Sequence, residues 1–487
     1  MIHPADKLKK LLTNRILQYI FSRYATYFIQ FVNSLFIAVN LGPYYLGIWG
    51  FVTLVLQYMN EINLGIAHAV NAIISIHRDK GLYVFHIVGA ALTMLVVLSL
   101  LVALFFVGGG ALGLDIGSKY DFARYAPFVI VTGILGYFNT LLSHVFRAYG
   151  RVTEIAFNQS AFPVLMLFTI LLFRGKNLLW ALVLVNLTAF ILSLAVYLLR
   201  SPIRLKPLFS IRLGKVIQKK GWHLFIYNTS FLLIMITTRS FISAFYEVDE
   251  FGYFTFAFGL ANVVLLLLQS LAFLIYPKLI NRMAKADAEQ NANLLSDVRA
   301  TYITVSHLLV HLAIPLFPLF LLFFPQYEAS GDAFYLIALT VVLYTNAFGY
   351  AGLMVARGRE KPLGRLALRA LMLNLAAGYL LTAILHVPLA QAILGTMASY
   401  LLYVLALGFA GRRLLGMQAT FSSVLGDVLP LRLMAPFFLS LALIFLSAPQ
   451  AVMAAPFILF AALNFKMIHK IKESIYRIIV NPDFINI

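Results

Sequence analysis

The chain has 487 residues, of which 62% are hydrophobic and only 11% charged, with no cysteine and a formal net charge of +19. Ordinary soluble domains carry roughly 25% charged residues, so this balance, with a mean hydropathy of +0.90, excludes a soluble globular protein and points to an all-α polytopic membrane protein. The missing cysteines exclude disulfides, iron–sulfur clusters and thiolate catalysis.

Apolar runs near 20 residues, the length that crosses a bilayer core as a helix, predict about fourteen spans. Lys7, Lys9 and Lys10 lead straight into the first, 16–39, so no cleavable leader is expected there. That span carries Arg23, Thr26, Tyr27, Gln30 and Asn33. The second, 46–76, places Gln57, Glu61, Leu64, His68, Asn71 and Ser75 at spacings of three, four and seven, which is one face of a helix. Spans 82–107, 122–147, 153–173 and 178–199 complete a first group of six. A basic stretch, "RSPIRLKPLFSIRLGKVIQKKGW" (Arg200–Trp222), separates them from a second group. There 222–245 carries Asn228, Thr238, Arg239 and Ser243, and 251–280 carries Thr255, Asn262 and Gln269 seven apart. Span 299–324 holds His307 and His311, then Pro315 and Pro318, which predict a kink. Spans 332–356, 364–386 and 389–411 follow, and 430–448 and 451–469 lie beyond the second six.

With the N-terminus inside, about 31 of the 37 Lys and Arg fall in cytoplasmic segments or helix ends, as the positive-inside rule requires. The acidic stretches Tyr246–Glu250 and Gln326–Asp332 then face outward. The net charge is therefore topology and attraction to anionic inner-leaflet lipids, and no nucleic-acid partner is expected. The chain divides into an N-lobe (1–199), a basic cytoplasmic linker (200–221), a C-lobe (222–413), and 414–487 with two further spans and a basic cytoplasmic tail.

The halves carry a weak internal repeat. "FIAVNLGPYYLGIWGF" (Phe36–Phe51) aligns without gaps on "FISAFYEVDEFGYFTF" (Phe241–Phe256), with Phe36/Phe241, Ile37/Ile242, Gly47/Gly252 and Phe51/Phe256 identical at an offset of 205. "AYGR" (Ala148–Arg151) meets "ARGR" (Ala356–Arg359) at an offset of 208. Six spans return the chain to the same side, so the halves are parallel repeats, which in transporters commonly enclose a substrate site.

Polar faces in the first two spans of each half cannot be satisfied by lipid, so they face protein or a wet cavity. Amides and hydroxyls there serve equally as helix glue. Full charges are costlier, at least about 2.5–3.5 kcal/mol for a lone ionised side chain near the midplane. Arg23 and Glu61 either pair structurally or act functionally. Arg239, with no acidic residue in its own span, either reaches outward or offers charge to an anionic ligand. The i,i+4 pair His307/His311 lacks further metal ligands, which favours packed histidines. His68, on the polar stripe, is a candidate for proton handling. No Gly-rich phosphate loop, nucleophile–base pair or paired carboxylates at catalytic spacing occurs, so neither enzymatic activity nor a cofactor or metal is expected.

The opening segment "SRYATYFIQFVNSLFIAVNLGPYYLGIWGFVTLVLQYMNEINLGIA" (Ser22–Ala67) resembles polysaccharide-transporter flippases of the Wzx type. In that family a polar first helix runs to an "LGP…GIW" stretch, and the second helix ends in a "DLGL"-like motif, here Asn63–Leu64–Gly65–Ile66 with Asn in place of the acid. The resemblance implies the multidrug/oligosaccharidyl-lipid/polysaccharide exporter fold, two six-helix lobes in a V around a central cavity. It also implies a cell-membrane flippase carrying an undecaprenyl-diphosphate-linked oligosaccharide, an O-antigen or other surface polysaccharide unit, to the outer leaflet. On that reading Arg23 and Arg239 attract the diphosphate, Tyr27, Gln30, Asn33, Asn262 and Gln269 contact sugar, and Glu61 and His68 couple or gate. A proton or Na⁺, membrane lipids and polysaccharide-assembly proteins would be further partners. A drug or cation exporter of the same superfamily is the alternative, and a membrane glycosyltransferase or polymerase a more distant one.

Overall fold

The computed structural model describes residues 15–77, 80–113, 117–285 and 287–480. The basic N-terminal residues Lys7, Lys9 and Lys10 lie outside them. Among the described residues all regular structure is helical.

Helix α1 (Arg15–Glu61) runs 47 residues but is broken at Gly42 (φ 69°, ψ 172°), followed by Pro43. Proline has no N–H to give the preceding turn, and glycine alone takes the left-handed region without penalty. The first two expected spans therefore share one kinked helix. The second span also stops early. Glu61 ends α1, Leu64 (φ 53°) and Gly65 (φ 71°) turn left-handed, and the short α2 (Ile66–His77) starts anew. Helices α3 (Gly81–Ala111), α4 (Ala126–Ala148), α5 (Val152–Leu172) and α6 (Gly175–Leu199) follow as expected. On α3, Leu100, Leu101, Leu104, Phe105 and Val107 are each more than half exposed, a face suited to acyl chains.

The basic segment is not an open linker throughout. Its second half is the start of α7 (Ile211–Phe245), and Leu208 N–H donates to Gly89 O on α3 (3.0 Å). Helices α8 (Val248–Lys285) and α9 (Ala288–Leu321) come next, α9 running through both Pro315 and Pro318. The expected span 332–356 is α10 (Gly331–Thr345) and α11 (Tyr350–Ala356), separated by a break at Asn346–Gly349, where Gly349 has φ 87°. Helix α12 (Glu360–Tyr379) ends in a π turn (Leu380–Ile384), and α13 (Leu394–Leu414) completes the second six. A short α14 (Phe421–Val428), closed by a Thr420/Ser423 capping box, meets α15 (Leu431–Phe445) at a 74° bend. Helix α16 (Ala455–Val480) is the last. Among the described residues eleven helices are long and apolar enough to cross a membrane, or twelve if α14 and α15 count as one bent span, against the fourteen expected. The protein is thus a multi-pass helical membrane protein.

Both repeat signals have structural counterparts. At "AYGR", Gly150 (φ 69°) donates to Arg147 O and Arg151 N–H reaches back to Phe146 O (2.9 Å). At "ARGR", Gly358 (φ 65°) donates to Val355 O and Arg359 to Met354 O (2.7 Å). Both helices thus end on a glycine-dependent cap that satisfies terminal carbonyls. The aligned glycines meet reciprocally. A Cβ on Gly47 would strike Val248 O, and one on Gly252 would strike Pro43 O; Val248 is itself Pro43 plus the offset. Only glycine lets the two backbones touch here.

The chain packs as two compact units, residues 1–229 with 246–255, and 230–245 with 256–487. Helices α7 and α8 each contribute to both.

Candidate functional site

In the first unit the polar residues gather around the break that ends α1. Asn63 makes this turn: its Nδ2 donates to Asn60 O (2.6 Å) and its Oδ1 accepts from Gly65 N–H (3.0 Å). Asparagine thus completes the local turn where the resembling motif has an acid, the usual use of Asx side chains at turns. Gly65 packs against α7, since a Cβ there would lie 2.6 Å from Phe225 Cβ and 3.2 Å from Gly221 O. That close approach brings α7 onto Glu61, whose Oε2 accepts from Thr229 Oγ1 at 3.1 Å. Among the described residues Glu61 has no basic partner within ion-pair distance. It is a carboxylate at the negative end of a helix, where the dipole disfavours its charge.

The break also corrects the expected stripe. Gln57 and Glu61 belong to α1, whereas His68 and Asn71 belong to α2, so no single continuous helix face joins them. His68 instead approaches His144 of α4, with ring centroids 5.5 Å apart. Nearby Asn139 donates to Phe190 O (3.0 Å) and accepts from Asn158 (3.4 Å).

Of the other expected site residues on α1, Tyr27 and Gln30 are half-buried. Asn33 is buried and donates its Nδ2 to Pro163 O on α5 (2.7 Å). The Arg23 side chain lies outside the described residues, and with it any pairing to Glu61. In the second unit Asn262 is half-buried, while the Gln269 side chain is outside the described residues. Arg239 is 2% exposed, with Cζ 4.8 Å from the Phe258 ring centroid. It does not extend outward, and the cation–π contact partly replaces the water it has lost. Beside it Thr238 bonds Thr396, and Asn374 bonds Thr237 and Ile234 O, joining α7, α12 and α13.

Among the described residues the densest charged network lies on elements that no local sequence pattern links. Arg299 of α9, 4% exposed, donates to Asp427 Oδ1 (2.8 Å) and Asn346 O (2.8 Å). Its Cζ lies 4.1 Å from the Tyr350 ring centroid, and Tyr350 OH also bonds Asp427. Arg412 approaches the same carboxylate at 3.7 Å. Asn346 Oδ1 in turn meets His307 Nε2 (3.1 Å), and His311 Nδ1 meets Ser440 Oγ (3.5 Å). The two histidines are thus packed core groups, with Phe460 5.5 Å from His311. Asp427 stands 128 residues from Arg299, so no local pattern pairs them.

Residues 128–325 match the sequence model of a family described as "Polysaccharide biosynthesis protein". No curated protein sequence matches the chain. Among solved structures, lipid II flippase MurJ in an inward closed conformation is similar with a TM-score of 0.67 at 12% identity, over 95% of this chain and 100% of that one. An inward-facing multidrug resistance MATE family transporter of the MOP superfamily gives 0.62 at 14% identity, over 82% and 98%. The MATE multidrug transporter DinF-BH gives 0.57 at 17% identity, over 84% and 97%. At such identities the likeness is one of fold. The chain shares the helical fold of these three structures, and its residues 128–325 match the sequence pattern of polysaccharide biosynthesis proteins.

Proposed function

We propose that the protein is a flippase, not an enzyme, that carries an undecaprenyl-diphosphate-linked oligosaccharide from the inner to the outer leaflet of the cell membrane, with both termini cytoplasmic. The observation that carries this reading is the polysaccharide-biosynthesis match over 128–325 on a fold shared along 95% of the chain with a lipid II flippase. The physical need is clear. A sugar head cannot enter hydrocarbon, whereas its polyprenyl tail can stay there, so the head needs a polar passage between lobes that open alternately.

In this scheme the first and second lobes follow the two six-helix halves. Arg23 and Arg239 draw in the diphosphate, with Tyr27, Gln30, Asn262 and Gln269 on sugar hydroxyls. Asn33 would have to release Pro163 O to join them. Glu61 takes up a proton or Na⁺ and thereby changes its bond to Thr229, while His68, on the far side of the helix break beside His144, serves the gating step. The α1/α8 crossing at Gly47 and Gly252 is the outer gate, which has to part for release.

Two MATE neighbours favour multidrug export as the second reading. Against it, the charges expected along the passage from the sequence, Arg23, Arg239 and Glu61, sum to about +1, which suits an anionic cargo better than a cationic drug. A deletion strain separates the two. Loss of surface polysaccharide with accumulation of its lipid-linked precursor supports the flippase. Normal polysaccharide with raised sensitivity to cationic drugs overturns it.

A further inference from the structure

Between α3, the non-helical stretch before α7, and the start of α7 lies a cavity of about 420 Å³ within the first unit, a size typical of small-ligand sites. Its walls are hydrocarbon, with Ala90, Met94, Leu98 and Leu101 on α3 and Leu64 and Ile66 on either side of the α1/α2 break. Walls of this kind suit hydrocarbon better than water. Residues 90–101 span about 16 Å of helix at 1.5 Å per residue, close to the ~15 Å hydrocarbon depth of one leaflet. Lys215 and Gln218 stand at its polar edge. The whole 200–221 segment contains seven Lys and Arg and no Asp or Glu. Lys206, Arg212 and Lys215 are exposed, and none has an ion pair among the described residues. Phe209 and Ile211, which also line the cavity, are 78% and 65% exposed. Alternating basic and bare apolar side chains are what a membrane interface accommodates.

We propose that this cavity binds one anionic glycerophospholipid of the inner leaflet, an acyl chain filling the hydrocarbon and the phosphate meeting Lys215. The wall along α3 matches the length of one acyl chain within a leaflet. Because Leu64 is both wall and left-handed hinge residue, the lipid braces the turn that holds Glu61 against α7. The site is independent of what the protein carries.

Native mass spectrometry of the full chain in mild detergent, titrated with phosphatidylglycerol or phosphatidylcholine of matched chains, tests this. Wild type should retain one phosphatidylglycerol in preference to phosphatidylcholine. Lys215→Gln should cut that preference about fivefold, the worth of one lysine near an anionic surface. Gly214→Leu should abolish tight binding of either lipid by filling the cavity; a Cβ there meets only Met94 Sδ, at 3.7 Å, so the fold tolerates it. Equal binding of both lipids by wild type overturns the proposal. So does unchanged binding in both variants, or displacement of phosphatidylglycerol by an equimolar polyprenyl phosphate.

Discussion

In the proposed mechanism Glu61 is the residue on which coupling turns. Its carboxylate sits at the end of α1 with Thr229 as donor, a bond to a charged group worth about 1.5–3 kcal/mol. Glu61→Gln keeps the shape but can hold neither charge nor cation. Transport by that variant in reconstituted vesicles should fall at least about tenfold at unchanged protein level, whereas Thr229→Val, which leaves the carboxylate in place, should cost less. Gly65 makes a sharper structural demand. Gly65→Ala adds a left-handed strain of about 1 kcal/mol and pushes a Cβ against Phe225 at 2.6 Å. Thermal unfolding in detergent should occur several degrees lower, while Gly150→Ala, with nothing within 4 Å, should lose only the strain term. The sequence displays both glycines equally; it does not tell which one another helix touches, because Phe225 lies 160 positions away.

At the scale of elements, the additional C-terminal helices are tied in by charge. Arg299 is buried and Asp427 three-quarters so. Removing one partner of such a pair leaves an uncompensated charge, at a cost of about 3 kcal/mol. Asp427→Ala should therefore lower the unfolding temperature markedly, and the double variant Arg299→Leu/Asp427→Leu should recover most of the loss. An additive double variant would show that the two residues do not act as a pair. Apolar length made most helices legible from the sequence, as for α3 to α6, since hydrocarbon thickness sets their extent. Breaks inside apolar runs were not legible. At 46–76 the hydrophobic pattern passes straight through Asn63–Leu64–Gly65, and only the Asx turn and the packing of Gly65 on α7 convert it into a hinge. The same holds for Asn346–Gly349 within 332–356. Helix α14 was missed because eight residues ending at a 74° bend have no apolar length of their own.

For the whole molecule, the internal repeat carried the most information. The offset of 205 pairs Gly47 with Gly252, and the two meet reciprocally where α1 crosses α8. The burial of Arg239 was not readable, because its enclosure comes from residues on other helices. In the proposed transport cycle this crossing must open for a lipid-linked oligosaccharide to reach the outer leaflet. The natural absence of cysteine makes a direct test possible. Gly50 and Thr255 face each other there, with an ideal Cβ on Gly50 3.2 Å from Thr255 Cβ, a few tenths below the usual disulfide Cβ separation of about 3.5–4.5 Å. The measurement is flipping of a polyprenyl-diphosphate oligosaccharide in vesicles by the Gly50→Cys/Thr255→Cys protein, oxidised and then reduced. Wild type should flip under both conditions, while the variant should be arrested when oxidised and recover on reduction. Undiminished flipping by the verified crosslinked protein, or no flipping by wild type at all, would contradict it.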